Sequence, residues 1–331
     1  MSNMTRTLIS FCLAVFGGLA FAQQGHVAGP VVGYVYDGSA QAVRPVLGIP
    51  GASVLGSAVQ FAYGLASVTV SPGADSAVVT ADDGSLHLIA LSGQTAAEIA
   101  FNGSSVKPDR VVYSPSGTSV ALIAAGRAQV FSGLPTSATL VGTMDLGGAT
   151  TTARVQAEVA RRPAARAASM AVSDDGTWLV TVANGSLELI GSGGSHSIAS
   201  AGRGSVVAFA PGGHDVSFAD PVARTVALVR DAGSTATQQA VWQDASLASV
   251  AGLAFSADGQ TLFLASGDIP VTIFNLAAGT HAPVACDCTS TGMERMGSTY
   301  RLNEFGSGPL WLLDAAASTP RTVFVPAPAS E

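Results

Sequence analysis

The stretch Val250–Leu276, VAGLAFSADGQTLFLASGDIPVTIFNL, reads as three strands punctuated by two turns. Apolar residues stand at Val250, Leu253 and Phe255, at Leu262 and Leu264, and at Val271, Ile273 and Phe274. Asp258-Gly259 and Gly267-Asp268 separate the runs, and glycine beside aspartate is the chemistry of a tight reversal between strands.

The unit recurs along the chain as VSPGADSAVV, YSPSGTSVAL, VSDDGTWLV and FAPGGHDVSF. Aligned on Ser71, Ser114, Ser173, Ala210 and Ser256, the copies lie 43, 59, 37 and 46 residues apart. A spacing of about 40 to 50 residues suits one four-stranded sheet per repeat. Full repeats begin near Ser67, Val111, Ser169, Val206 and Val250, and a degenerate sixth follows in TGMERMGSTYRLNEFGSGPLWLLDAAASTPRTVFVPA. Upstream, Val31–Tyr36 and Val43–Leu47 form a hairpin around Asp37-Gly38, with Pro30 and Pro45 predicting edge-like positions because proline has no N–H to give a ladder. The expected fold is all-β, a single β-propeller of four-stranded blades. It has seven blades if the hairpin is completed by Val54–Phe61 or by the last strand, with six or eight as alternatives. Mixing the two chain ends in one sheet would close the ring and hide two strand edges.

The shared pattern, apolar-Ser-x-(Asp/Ser)-Gly-x-x-apolar-x-apolar, resembles the repeat of the bacterial YVTN and WD-type β-propeller families over about residues 67–326. No Trp-Asp dipeptide ends a strand, so the eukaryotic WD-repeat class with its scaffolding partners is not supported. The resemblance also implies an enzymatic alternative, a lactonase or hydrolase with its site over the central channel. That alternative needs His, Glu or Arg side chains converging at the axis, and none recurs at matching repeat positions.

Of 331 residues 48% are hydrophobic and 11% charged, so a large core is available. Net charge is −7 and Lys107 is the only lysine, which leaves little cationic surface for phosphates and argues against nucleic acid as a partner. Residues 1–22 read as a secretory signal. Arg6 precedes an apolar run from Leu8 to Phe21, and Ala20-Phe21-Ala22 places the cut between Ala22 and Gln23. Cys12 follows Phe11, which disfavours lipid attachment. The mature domain, 23–331, is expected to be exported to the periplasm or the medium as a monomer, with no membrane contact after cleavage.

Catalytic motifs are missing from the sequence: no Gly-x-Ser-x-Gly, no His-Glu-x-x-His, no phosphate loop and no dinucleotide fingerprint, hence no catalytic residue, metal site or cofactor is assigned. Asp75, Asp175 and Asp258 belong to separate repeats, and turn formation explains them better than a shared metal. His26, His87, His196, His214 and His281 stand at unrelated repeat positions, each read as a surface or strand histidine. Trp178, Trp242 and Trp311 read as packing residues. Cys286-Asp287-Cys288 holds the two cysteines left after cleavage, with a disulfide, free thiols and a redox or metal role as the alternatives. The long interval contains an insertion, 147–168, read as a short helix ended by Pro163 or as a loop. Its Arg154, Arg161, Arg162 and Arg166 form a basic cluster on an acidic chain, and Arg161-Arg162 is the candidate ligand contact. The variable connections opposite the Ser-x-Asp-Gly turns form the candidate binding face, for a protein or a small ligand. The function read from the chain is therefore a non-enzymatic binding or scaffold module.

Overall fold

A computed structural model describes residues 29–101, 107–147, 170–267 and 271–327. It is a seven-bladed β-propeller. Six sheets have four antiparallel strands in simple sequence order, and the first has three. Blade 1 is Val31–Asp37, Ala42–Ile49 and Ala52–Leu55; blade 2 is Leu65–Val70, Ser76–Ala81, Leu86–Ser92 and Thr95–Ile99. The inner strands of blades 3 to 7 are Arg110–Tyr113, Met170–Val172, Val206–Phe209, Gly252–Phe255 and Glu294–Met296.

Each blade needs apolar residues on both faces, because neighbours cover both. The second strands show it most clearly: Ser76–Ala81, Ser119–Ala124 and Val216–Asp220 are buried at every position. Outer strands such as Gly194–Ser200 and Thr237–Gln243 are exposed along most of their length and are correspondingly polar. Seven hydrophobic clusters fill the seven interfaces between blades, the seventh joining blade 7 to blade 1 through Leu310, Leu312, Val323 and Val325 against Val32, Val35 and Val46.

The recurring serine has a structural task in the turns between first and second strands of blades 2, 3, 4 and 6. The hydroxyls of Ser71, Ser114, Ser173 and Ser256 accept the N–H of the residue five positions on, at 2.9–3.2 Å. Three of them also donate to the turn's own carboxylate, Ser71 to Asp75, Ser173 to Asp175 and Ser256 to Asp258, at 2.6–2.7 Å. Neighbouring turns are tied together by Asp174. Its Oδ1 accepts from Ser116 N–H and Oγ–H in blade 3, and its Oδ2 from Gly212 N–H in blade 5.

Closure differs from the expectation of a sheet shared by the two ends. Each end builds its own sheet, blade 1 taking its third strand from Ala52–Leu55, and the sheets seal face to face. Among the described residues, moreover, blade 1 has no inner strand. Its first strand begins beside the end of the blade 7 inner strand, where a Cβ on Gly33 would overlap Met296, and ends beside the start of the blade 2 inner strand, where Tyr36 Oη donates to Leu65 O at 2.9 Å. It therefore runs opposite to its inner neighbours, as a second strand does elsewhere. Across the place of the missing strand, Gly297 N–H of blade 7 donates to Pro72 O of blade 2 at 2.9 Å.

Pro45 also departs from its expected edge position, since it lies in the middle strand, opposite Tyr34. The third strand stops at Leu55, just where proline has no N–H to offer. Arg44 Nη1 reaches Gly56 O at 3.5 Å in its place, while Pro45 O still accepts from Gly56 N–H.

Candidate functional site at the channel mouth

Residues two positions before the turn serine lie on the axial face of each inner strand. Thr69, Val112, Ala171, Ala208, Ala254 and Arg295 are all half-buried, and in blades 4 to 6 they stand between buried neighbours, the alternation of a strand with one face on a narrow channel, whereas Arg295 stands between exposed Glu294 and buried Met296. Five of the six are uncharged and small to medium in size. Arg295 is the exception.

Arg295 stands on a three-residue strand, so its side chain leaves the sheet close to the turn. Its Nε donates to Gly297 O at 3.0 Å, and its Nη1 reaches across the axis to Pro115 O of blade 3 at 3.4 Å. No ion pair to Arg295 occurs among the described residues. The guanidinium lines an open bowl of about 390 Å³ with Gly73, Ala257, Gly297, Ser298, Tyr300 and Ala316. Apart from Tyr300 these are minimal side chains, and the turn chemistry that requires Gly and Ala leaves the space empty. Burial pushes the Tyr300 phenol up to about 12, with Arg295 opposing the rise and Asp258 adding to it. Tyr300 thus remains a donor, and its hydroxyl is held by Phe255 O at 3.0 Å. With two of five N–H groups committed to carbonyls, Arg295 can present the others as a planar fork to a carboxylate or similar anion.

Arg295 was not singled out by its residue type. Its signal is positional: when the degenerate repeat is aligned with Gly297 in the place of the turn serine, Arg295 falls on the axial register.

The other sequence candidates lie elsewhere. Arg161, Arg162 and the insertion 147–168 fall outside the described residues apart from Gly147, and so do Ala22 and Gln23. Cys286 and Cys288 are joined as a disulfide, with Cα atoms 5.1 Å apart, in the link from blade 6 to blade 7. Asp75, Asp175 and Asp258 each serve their own turn, as described above. His87 does not stand alone: Tyr63, Ser85 and Glu98 surround it on the face opposite the bowl.

The class this geometry defines is a seven-bladed propeller with, among the described residues, one cation in the bowl at the mouth of its channel. No protein-family model matches the chain, and no curated protein does. Among solved structures, a functionally unknown protein from Desulfotomaculum acetoxidans is similar at 13% identity and a TM-score of 0.57, over 90% of this chain and 96% of that one. Sqt1 from Chaetomium thermophilum aligns at 18% identity and a TM-score of 0.46, over 84% and 76% of the two chains. A Bacteroides thetaiotaomicron protein of unknown function aligns at 12% and 0.45, over 83% and 72%. The first likeness supports the fold alone.

Proposed function

We propose that this chain is an exported binding module of the YVTN/WD-type propeller kind, and that its ligand presents a carboxylate to Arg295 in the bowl. The supporting observation is an arginine without a carboxylate partner among the described residues, in a concave site built from glycine, alanine and serine with Tyr300, on a chain of net charge −7. A single cation in that setting favours an anionic group small enough to enter. The proposal moves the expected ligand from the variable-loop face to the face of the Ser-x-Asp-Gly turns. Arg161 and Arg162 stay with it as a second contact for a larger partner. Export through cleavage between Ala22 and Gln23, with Cys286 and Cys288 paired in an oxidising compartment, belongs to the same reading. The hydrolase reading over the channel calls for several His, Glu or Arg side chains at the mouth, and among the described residues that line the bowl Arg295 is the only one of these types, with the Tyr300 phenol beside it.

Titration calorimetry with short peptides ending in a free carboxylate, beside their amidated forms, tests the proposal. Binding should require the free carboxylate, and Arg295→Ala should weaken it about 10- to 100-fold, the worth of a charge-assisted hydrogen bond. Arg295→Lys should recover only part, since an ammonium cannot form the fork. Equal affinity for acid and amide, or an Arg161→Ala/Arg162→Ala variant that loses binding while Arg295→Ala keeps it, would place the ligand elsewhere.

A further inference from the structure

On the face opposite the bowl, the turn Asp82-Asp83-Gly84-Ser85 of blade 2 brings together a second set of groups that neither the fold nor the proposed ligand requires. Ser85 Oγ lies 2.7 Å from His87 Nε2, and His87 Nδ1 lies 3.1 Å from Glu98 Oε1. Tyr63 arrives from the link between blades 1 and 2, stacks on the His87 ring at 4.1 Å and 18°, and donates its hydroxyl to Glu98 Oε1 at 3.0 Å. Burial raises the Tyr63 phenol, and Glu98 raises it further, so Tyr63 stays a donor. Lys107, the only lysine, comes from the link to blade 3, and its Nζ would lie 3.9 Å from a Cβ on Gly84.

We propose that Ser85, His87 and Glu98 form a nucleophile, base and carboxylate relay that hydrolyses exposed carboxylic esters, at a site distinct from the channel mouth. The geometry supplies each role. A nucleophilic hydroxyl must lie within hydrogen-bond reach of its base, and the base must be oriented through its other ring nitrogen. Strand alternation makes the short spacing possible. Ser85 immediately precedes the third strand of blade 2, two positions before His87 on it, and Glu98 is on the neighbouring fourth strand, so three residues within a span of fourteen meet without a long-range fold. Glu98 and Tyr63 are positioning residues, one fixing the ring's hydrogen bond and the other its plane. Side-chain exposure of 24% for His87 and 56% for Glu98 leaves the relay open to an ester carried on a chain or surface.

In the first step Ser85 Oγ bonds to the ester carbonyl carbon and its proton passes to His87 Nε2. The Lys107 ammonium, beside Gly84, is the cation at hand to stabilise the oxyanion that develops. The carbon–oxygen bond to the leaving alcohol then breaks, and the alcohol departs with the proton from Nε2. Water next attacks the acyl-serine, giving its proton to Nε2, and the acid leaves as Ser85 recovers that proton.

Asp83 makes the proposal sharply testable. Its Oδ1 also accepts from Ser85 Oγ at 2.6 Å and from Ser85 N–H at 2.8 Å. One hydroxyl proton cannot serve Asp83 and His87 at once, so Asp83 holds the nucleophile back. The experiment uses the mature protein with p-nitrophenyl acetate as substrate and a fluorophosphonate as covalent probe, located by peptide mass. Labelling at Ser85 should vanish in Ser85→Ala. Hydrolysis should fall about 100-fold or more in His87→Ala. Glu98→Gln should lower kcat and leave KM unchanged, since the orientation of the ring is lost and the binding of the ester is not. Asp83→Asn should label several-fold faster than the parent. Unchanged melting temperatures check that these exposed substitutions leave the fold alone. No labelling of Ser85 in either parent or Asp83→Asn, or hydrolysis indifferent to Ser85→Ala and His87→Ala, would overturn the relay and leave the network a turn clasp. Arg295→Ala should not alter any of these readouts, which separates this proposal from the one at the bowl.

Discussion

At the scale of single residues, the serine and aspartate of each turn act through backbone hydrogen bonds. Asp175 shows the balance. Burial pushes its carboxyl up, but Ser173 Oγ–H, Thr177 N–H and Oγ–H, and His214 outweigh burial and hold it well below the usual carboxylate range. Asp258 is lowered first by Ser256 and then by Gln260 N–H. At Asp37 burial raises the carboxyl, and bonds from Ser39 and Ala40 with the Arg44 charge lower it by more. A folded value below the unfolded one means stability that is complete above the ordinary carboxylate range and fades as pH falls through the depressed values. Melting temperature should therefore be flat near neutrality and drop in acid, with a shallower acid slope in Asp175→Asn, as scanning calorimetry would show. Asp174→Ala should cost about 1–3 kcal/mol in urea unfolding, because it strips the acceptor from donors in two other blades. The turn duty of these residues was legible in the repeated motif. Arg295 and the Ser85 network were not, because each depends on which segments meet around the axis or at the blade's end, and a residue list carries no such information.

At the scale of the element, strand runs were legible wherever apolar residues bounded by Gly-Asp or Asn-Gly turns set the pattern. The degenerate last repeat was readable for the same reason: Thr299–Arg301, Leu310–Asp314 and Arg321–Val325 all fall within the stretch read as the sixth copy. Blade 1 was harder. The sequence shows only two clear runs, and the polarity of the first relative to the other blades is set by packing against Met296 and Leu65, which no periodicity reveals. Gly297 is the element on which that arrangement turns. It has φ +61°, and a Cβ there would collide with Val32 O. Gly297→Ala should destabilise by more than about 1 kcal/mol, strain and contact adding together, measured as a shift in urea midpoint. Replacement of Ala74, which holds φ 58° already with a side chain, by glycine should be mild by comparison.

At the scale of the whole molecule, stability comes from seven equivalent seams, and none of the blades can bury both faces alone. The seam between blades 7 and 1 joins the described ends of the chain without a shared sheet, so side-chain packing carries it, with Arg321 Nη2 to Pro50 O a polar contact at its rim. The repeats made the wheel predictable, whereas the manner of closure depended on how many strands the N-terminal segment could supply. Blade 1 covers Val79 and Ile89 of blade 2 on one side and Leu310 and Val323 of blade 7 on the other. Thermal unfolding of residues 23–331, followed by circular dichroism beside a chain that begins at residue 56, tests the closed seven-bladed wheel most directly. The account predicts one cooperative transition for residues 23–331 and none for the shortened chain, whereas a shortened chain melting at the same temperature would contradict it.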